Sequence, residues 1–320
     1  NDFSLVERIE DADFVVLPYP YDRFKATNSA KVDMILGEAK LAGKPILIDG
    51  SGDLEYPISI PNSVILRISQ YAYSKQPNEI TVPGVAEDLL ESYAGGQLQI
   101  REKSEKPVVG FTGWANLSPK ARLKLWVKEL PILFGELLDS QRGAERKGLL
   151  FRIRALKALS QSARVQPNFT ARATYSGHIK TIQGSVADNR REFVENLLNS
   201  DYALCVKGDA NYSVRFYEAL SLGRIPLFLD TACVLPLEDT INYRDFCVFV
   251  DWRDTDHISD ILADFHAKLS PEQFETMQRK ARETYANYLR YDVFSAQLAR
   301  QLRGFIKEAP MVPSFHNGEA

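Results

Sequence analysis

Short apolar runs alternate with helix-like stretches along most of the chain, and this alternation constrains the fold more than any other feature. The runs "FVVL" (14–17), "PILI" (45–48) and "VVGF" (108–111) are typical of buried strands. Between the first two lies "NSAKVDMILGEAKLAG" (28–43), which predicts a helix that starts near Asn28 and stops at Gly43. Strands separated by helices favour a parallel sheet with helices on both faces. We therefore predict the α/β class.

The pattern restarts after the polar, proline-ended segment "QLQIREKSEKP" (97–107), which is the best linker candidate. We predict two Rossmann-like domains that face each other across a cleft, residues 1–100 and residues 107–285. Residues 286–308 are expected to form a helix that crosses back to the first domain, and the tail, 309–320, to be disordered. Ligands of such sheets bind beyond the carboxyl ends of the strands, so the cleft is the expected site.

The composition excludes several classes of protein. At 45% hydrophobic and 25% charged residues the chain has ordinary globular usage, not that of a disordered protein. A net charge of −3 lacks the basic excess that non-specific nucleic-acid binding needs, so no nucleic-acid partner is expected. No apolar run approaches the ~20 residues of a transmembrane helix, and the N-terminus lacks a signal-peptide pattern.

Cysteines and acidic pairs give no support for a metal site. The three cysteines, Cys205, Cys233 and Cys247, are scattered among apolar residues, which indicates small buried side chains and a reducing compartment. The two Asp-x-Asp tripeptides, 11–13 and 254–256, have no supporting ligand at useful spacing. We therefore expect neither a metal nor a cofactor.

The stretch "SDYALCVKGDANYSVRFYEALSLGRIPLFLD" (200–230) holds the main candidate site. It leaves a predicted strand and enters a helix whose N-terminus favours anions. Ser213 stands at the N-cap position, Arg215 can fork onto phosphate oxygens, and the Glu218 carboxylate can accept both hydroxyls of a ribose. The alternative is that Ser213 caps the helix while Arg215 and Glu218 form a surface ion pair. Spacing alone slightly favours that alternative. The sequon at Asn211 lies in the same loop, where a glycan would block a pocket, so we predict that it is unused.

A second strand end, "GFTGWAN" (110–116), is predicted to be a glycine turn. It lacks the full G-x-G-x-x-G fingerprint, which argues against a dinucleotide cofactor and an oxidoreductase. Arg122 on the following helix is a further candidate phosphate ligand.

In the first domain, "DGSGD" (49–53) leaves a predicted strand at its carboxyl end. Asp49 and Asp53 are the candidates for a general base, which takes a proton from a hydroxyl nucleophile. The competing interpretation is that both are turn-forming aspartates beside glycine.

Three ordered stretches in the second half resemble the exostosin-like family of inverting glycosyltransferases, which has the GT-B fold. They are "NSDYALCVKG" (199–208), "YSVRFYEALSLGRIPLFLD" (212–230) and "LPLEDTINYRDFCVFVD" (235–251). Looser similarity covers "DADFVVLPYPYD" (11–22) and "PVVGFTGWANLSPKARLKL" (107–125). The resemblance thus extends over most of the chain, strongly in the second domain and loosely in the first.

The resemblance implies transfer of a sugar from a nucleotide-diphosphate sugar, taken to be a UDP-sugar, to a hydroxyl of a glycan acceptor, without a metal. Ser213 and Arg215 would bind the donor diphosphate and Glu218 the ribose, and Gly113 and Arg122 would help to hold the diphosphate. The loop "KGDANY" departs from the family pattern, so Lys207 is predicted to replace a phosphate-binding arginine.

The alternative function is a catalytically silent, exostosin-like partner subunit that supports an active transferase. Either function is compatible with a homo- or heterodimer. The absence of a targeting segment favours a cytoplasmic, bacterial-type enzyme of polysaccharide assembly, at most peripherally bound to a membrane. The lumenal domain of a trimmed Golgi-type enzyme is the alternative.

Overall fold

The first half of the chain forms a small parallel sheet. The computed structural model describes residues 2–52, 56–173 and 185–308. In this sheet four strands lie in sequence order, all parallel. They are β1 (Val15–Val16), β2 (Ile46–Asp49), β3 (Ser63–Arg67) and β4 (Glu79–Thr81).

One long helix, α1 (Tyr21–Leu41), covers this sheet. It begins earlier than the predicted start near Asn28, because Tyr21 and Phe24 are buried in the core of the first sheet and packing stabilises the extra turns. Asn28 itself is not helical (φ −146°, ψ 49°) and divides the helix there. Gly43, with a φ of 66°, follows the helix end as predicted.

The second half forms a larger parallel sheet in the order β6-β5-β7-β8-β9. Strand β5 lies between β6 and β7, so the next strand in the chain, β6, is on one side of β5 and the later strands are on the other side. The gap between the carboxyl ends of β5 and β7 is therefore the topological switch point, where such sheets bind their ligands. The strands are β5 (Val108–Trp114), β6 (Gln166–Arg172), β7 (Tyr202–Cys205), β8 (Ile225–Asp230) and β9 (Val248–Asp251). The α/β class and the two parallel sheets are confirmed.

Helices flank the second sheet, and the chain ends in a helical region. In the described residues these are α2 (Leu89–Tyr93), α3 (Pro119–Leu138), α4 (Gly148–Gln161), α5 (Val186–Leu198), α6 (Val214–Ser221), α7 (Ile258–Lys268), α8 (Pro271–Thr284) and α9 (Tyr291–Glu308). Between α8 and α9 lies a π-helical turn, Tyr285–Leu289. None of the helices in the described ranges combines the length and apolar character needed to cross a bilayer.

Two local predictions are wrong. We predicted a glycine turn in "GFTGWAN", but β5 runs through it to Trp114, because both glycines pair in register with β6. The stretch "DNRREFVENLLNS" (188–200) also predicts a helix with Asp188 as its N-cap. Instead Ser185 is the N-cap, and its hydroxyl accepts a hydrogen bond from the backbone N–H of Asp188.

The predicted linker packs onto the second sheet. Arg101 Nε donates to Asp201 Oδ1 at 2.9 Å, and its backbone N–H donates to Gln278 Oε1 at 2.9 Å. Further upstream, Leu89 and Leu90 belong to the core of the second sheet. The predicted boundaries of the two domains stay predictions.

The last helix contacts both the core of the second sheet and the N-terminal segment of the chain. Phe294 of α9 lies in the core of the second sheet, and the hydroxyl of Ser295 donates to Asp2 Oδ2 at 2.7 Å. The last helix therefore returns to the N-terminal segment of the chain.

Candidate functional site

Ser213 stands at the start of α6, at the switch point of the second sheet. It occupies the N-cap position, as predicted, with extended backbone angles. Its side chain, however, makes no cap hydrogen bond, although the residue is only 9% exposed. The interpretation that Ser213 merely caps the helix is therefore wrong, and binding of a diphosphate by its hydroxyl stays a prediction.

Arg215, on the first turn of α6, is a half-buried cation at the end of β5. Its Nη2 donates to the carbonyl oxygen of Thr112 at 2.6 Å, and its Cζ lies 4.3 Å from the centre of the Phe111 ring. In the described part of the chain no carboxylate forms an ion pair with Arg215, and its buried Nε has no hydrogen-bond partner. Burial lowers the pKa of the guanidinium, because desolvation disfavours its charged form.

Even partial burial of a guanidinium without a carboxylate partner is costly, and a bound anion would compensate it. The position therefore suits the binding of a charged group. Two further buried donors at the same strand end, Thr112 Oγ1 and Trp114 Nε1, also lack a partner within the described ranges. Thr112 and Trp114 alternate with Phe111 and Gly113 along β5, so these two donors lie on the opposite face of the strand from Arg215.

Gly113 leaves room for Arg215. Its φ of 155° is one that side-chain-bearing residues rarely adopt, and a Cβ atom there would lie 3.0 Å from Arg215 Nη2. The glycine therefore permits close approach rather than a turn. Arg122, by contrast, is exposed in the first turns of α3, and no contact brings it to Arg215. Its role as a phosphate ligand stays a prediction.

Glu218 is buried one turn after Arg215 but pairs with another helix. Arg190 of α5 donates from Nη1 to Glu218 Oε1 at 2.6 Å, and from Nη2 to Glu87 Oε2 at 3.0 Å. Glu218 is 8% exposed. The alternative of an Arg215–Glu218 surface pair is therefore wrong, because neither side chain is on the surface and the carboxylate has a different partner.

Arg190 and Arg152 were not among the predicted site residues. Arg152 of α4 donates from Nη1 to the Trp114 carbonyl oxygen at 2.8 Å and from Nη2 to the Lys207 carbonyl oxygen at 3.4 Å, joining the ends of β5 and β7. The consecutive arginines of "DNRREF" were the only sequence signal for Arg190, and a basic residue on an amphipathic helix the only one for Arg152.

Lys207 follows β7, and its amino group contacts one residue on each side of the predicted linker. Its Nζ donates to the Tyr71 hydroxyl at 2.8 Å and to the Ala144 carbonyl oxygen at 2.6 Å. The residue is 2% exposed, and burial lowers its pKa to about 8. These contacts occupy the amino group, so binding of phosphate by Lys207 stays a prediction.

The loop between β7 and α6 is held by residues from the first half of the chain. The Asn211 backbone N–H donates to Ser69 Oγ at 2.7 Å, and Asn211 Nδ2 donates to the Gln70 carbonyl oxygen at 3.0 Å. Asn211 is 1% exposed, so a glycan on this sequon would require the loop to open. The candidate site therefore lies next to the contact between the two sheets.

One of the two candidate bases forms a turn at the end of its strand. Asp49 ends β2, and its Oδ1 accepts hydrogen bonds from the backbone N–H of Ser51, at 2.9 Å, and from the Ser51 hydroxyl. This is the geometry of a turn-forming aspartate. Asp53 lies outside the described residues. The identity of the base stays a prediction.

Over the described ranges no group of three or more His, Cys, Asp or Glu residues is placed to hold a metal ion. Cys205 and Cys247 are buried free thiols, as predicted, and Cys233 is half-buried. Asp256, in the second Asp-x-Asp tripeptide, pairs with Arg154.

Comparison with solved structures finds loose similarity to a glycosyltransferase from Rickettsia africae (TM-score 0.40, 11% identity, 93% of this chain and 78% of that chain). Similarity to a sucrose-phosphate synthase from Thermosynechococcus elongatus is comparable (TM-score 0.38, 10% identity, 90% and 80%).

Sequence comparison is more specific. An Exostosin-1 homolog of Caenorhabditis elegans is 30% identical over 102 residues, 32% of this chain and 26% of that protein. A probable β-1,4-xylosyltransferase of Arabidopsis thaliana, IRX10L, is 33% identical over 87 residues, 27% and 20%. The matched segments thus span about a quarter or less of these relatives.

The family model of the Exostosin GT47 domain matches residues 131–265. This segment contains Lys207, Ser213, Arg215 and Glu218, whereas Gly113, Arg122 and Asp49 precede it. The predicted resemblance to the exostosin family is therefore confirmed, and it is carried by residues 131–265, which match the family's GT47 domain.

Proposed function

We propose that the chain is an inverting glycosyltransferase that moves a sugar from a nucleotide-diphosphate sugar, with UDP as the nucleotide, to a hydroxyl of a glycan acceptor. The observation that carries the proposal is Arg215, a half-buried guanidinium at the switch point of the second sheet that pairs with no carboxylate of the described residues and has a buried, unpartnered Nε. The match to the Exostosin GT47 domain and the transferase names of the relatives support it.

Ser213, Arg215 and the first N–H groups of α6 form the proposed binding site for the diphosphate. The acceptor hydroxyl attacks the anomeric carbon from the face opposite the diphosphate and inverts its configuration. A base takes the hydroxyl proton, the new C–O bond forms, and the bond to the diphosphate oxygen breaks. Arg215 stabilises the negative charge that develops on the departing diphosphate. We propose that this guanidinium, rather than a metal ion, supplies the charge.

Glu218 is the proposed acceptor for the ribose hydroxyls. Its carboxylate is held by Arg190, which leaves Oε2 to accept a further hydrogen bond. The Arg190–Glu218 pair would thereby fix the carboxylate before the nucleotide arrives, which lowers the entropy cost of binding.

The second candidate function is that of a catalytically silent partner subunit, which would form one half of a homo- or heterodimer. One observation favours it: Asp49, a candidate base, is engaged in a turn with Ser51. A silent subunit would keep the donor site without completing the reaction. We propose a cytoplasmic location for the enzyme, with a trimmed lumenal enzyme as the alternative.

A panel of nucleotide sugars separates the candidates. The protein is incubated with each donor, and NMR follows the anomeric signal of released sugar. Slow release with inverted configuration from one donor supports the enzyme. Nucleotide binding without release from any donor supports the silent subunit. If neither UDP nor any panel member binds, as judged by the absence of a thermal shift, both lose their basis.

A further inference from the structure

Helix α3 exposes its apolar stripe to solvent. Its large apolar side chains recur at helical spacing on one face and are 52–92% exposed. They are Leu123, Trp126, Val127, Phe134, Leu137 and Leu138, which we call the α3 stripe. An exposed apolar patch of this kind marks an interaction surface rather than a solvated one.

Few residues of α3 are buried against the rest of the chain. Of its residues only Glu129 and Gly135 are buried. In an ordinary surface helix the apolar stripe faces the core and the charged residues face water. In α3 the apolar stripe is exposed as well as the basic residues, so the stripe is not required for packing within the described part of this chain.

The charges beside the α3 stripe have one sign. Lys120, Arg122, Lys124 and Lys128 lie on α3, and within the described ranges none of them forms an ion pair. The two carboxylates of the helix are already occupied. Glu136 pairs with Arg146, and Glu129 is buried and accepts from the Lys147 backbone N–H.

We propose that the α3 stripe and its lysines bind an anionic lipid surface. A helix with Trp, Phe and Leu on one face and basic residues beside them is suited to the boundary between head groups and acyl chains. Trp126, half-exposed in the stripe, suits that boundary because its ring is amphipathic. The net charge of −3 opposes binding through other faces, so α3 would also set the orientation.

A second copy of the chain fits this surface less well. Parallel pairing of two α3 helices would place like-charged basic residues together. Antiparallel pairing would place them against the other end of the helix, where Glu136 is already paired with Arg146. Only an anionic partner compensates the four cations.

The direct test is sedimentation of the full chain with vesicles of phosphatidylcholine that contain about 30% phosphatidylserine, compared with vesicles of phosphatidylcholine alone. We expect binding to the anionic vesicles, weakened by salt, and a blue shift of tryptophan fluorescence. The Trp126→Phe variant should bind but lose most of the shift, because Trp252 is buried and Trp114, at the end of β5, has a buried indole N–H.

Two matched triple variants test the charges. Replacing Lys120, Lys124 and Lys128 by Gln should weaken binding by about 5-fold for each lysine. The control replaces Lys31, Lys40 and Lys106, three exposed lysines elsewhere, and has the same net charge. It should bind like the parent protein.

Three results would overturn the proposal. They are equal binding by both triple variants, equal binding to vesicles with and without phosphatidylserine, and no binding by the parent protein.

Light scattering tests the competing occupant of the α3 stripe, a second copy of the chain. A dimer that the double variant Leu137→Ser, Leu138→Ser converts to monomer, with no vesicle binding by the parent, shows that the stripe is a contact between copies. UDP affinity in solution does not depend on this surface, so failure here leaves the proposed function untouched.

Discussion

The guanidinium of Arg215 lies over the ring of Phe111, 4.3 Å from its centre, and so connects helix α6 to the end of strand β5. The contact holds a cation where no carboxylate of the described residues pairs with it. A ring face stabilises a cation only modestly, by about 0.5–2 kcal/mol, whereas burial of an unpaired charge costs several kcal/mol. The position of Arg215 is therefore better explained by binding of an anion than by a contribution to the stability of the fold.

Replacing Arg215 by Met tests this interpretation. Methionine keeps apolar contact with Phe111 but removes the charge. We expect UDP affinity to fall by about 30- to 150-fold, equivalent to about 2–3 kcal/mol for a lost charge-assisted contact. The free energy of unfolding should be unchanged or slightly higher, because an uncompensated buried charge is gone. Calorimetric titration with UDP and urea denaturation measure the two quantities.

The control for Arg215 is Arg279→Met, which removes an exposed arginine of α8 and its pair with Glu275. It should change neither quantity by more than about 0.5 kcal/mol. Full UDP affinity in Arg215→Met would remove the donor-site assignment.

Replacing Gly113 by Ala should disturb the same site from the strand. The new Cβ would lie 3.0 Å from Arg215 Nη2, at a φ of 155° that alanine rarely adopts. We expect a loss of about 1–3 kcal/mol in stability and weaker UDP binding. Gly37→Ala is the matched control, since a Cβ there meets nothing within 4 Å and the residue is helical. A Gly113→Ala protein that matches Gly37→Ala in both measurements would contradict the required close approach.

The proposed ribose contact makes a prediction about ligand chemistry. The protein should prefer UDP to its 2′,3′-dideoxy analogue, because Glu218 loses both hydroxyl partners in the analogue. Glu218→Gln should bind UDP more weakly and lose most of this preference. Arg190→Ala should weaken UDP binding as well, because Glu218 is no longer oriented, but should leave some preference in place. If Glu218→Gln retains the full preference, the ribose hydroxyls bind elsewhere.

The fold could be predicted largely from patterning, and the site only in part. Alternating apolar runs and helices identify most strands of both sheets, because burial selects those residues, but they do not identify β6, which has no fully buried residue. The sequence also placed Ser213 and Arg215 correctly at the start of α6. It could not identify Arg190 or Arg152, because their partners, Glu218 and the ends of β5 and β7, are distant in the chain. For the same reason the contact of Lys207 with Tyr71 was not predictable from the loop that contains it.

Lys207 makes stability depend on pH in a defined direction. Burial lowers its pKa from 10.5 to about 8 in the folded chain, so between these values the unfolded chain binds more protons. Stability contributed by this group should therefore rise with pH above about 8, by about 1 kcal/mol per unit, and be flat below it. Urea denaturation from pH 7 to pH 10 should show the parent protein gaining on Lys207→Met over this range, whereas the exposed-site control Lys106→Met should follow the parent throughout. Parallel pH profiles for the parent and Lys207→Met would mean that the amino group is not desolvated between Tyr71 and Ala144, and that it remains free to meet a phosphate.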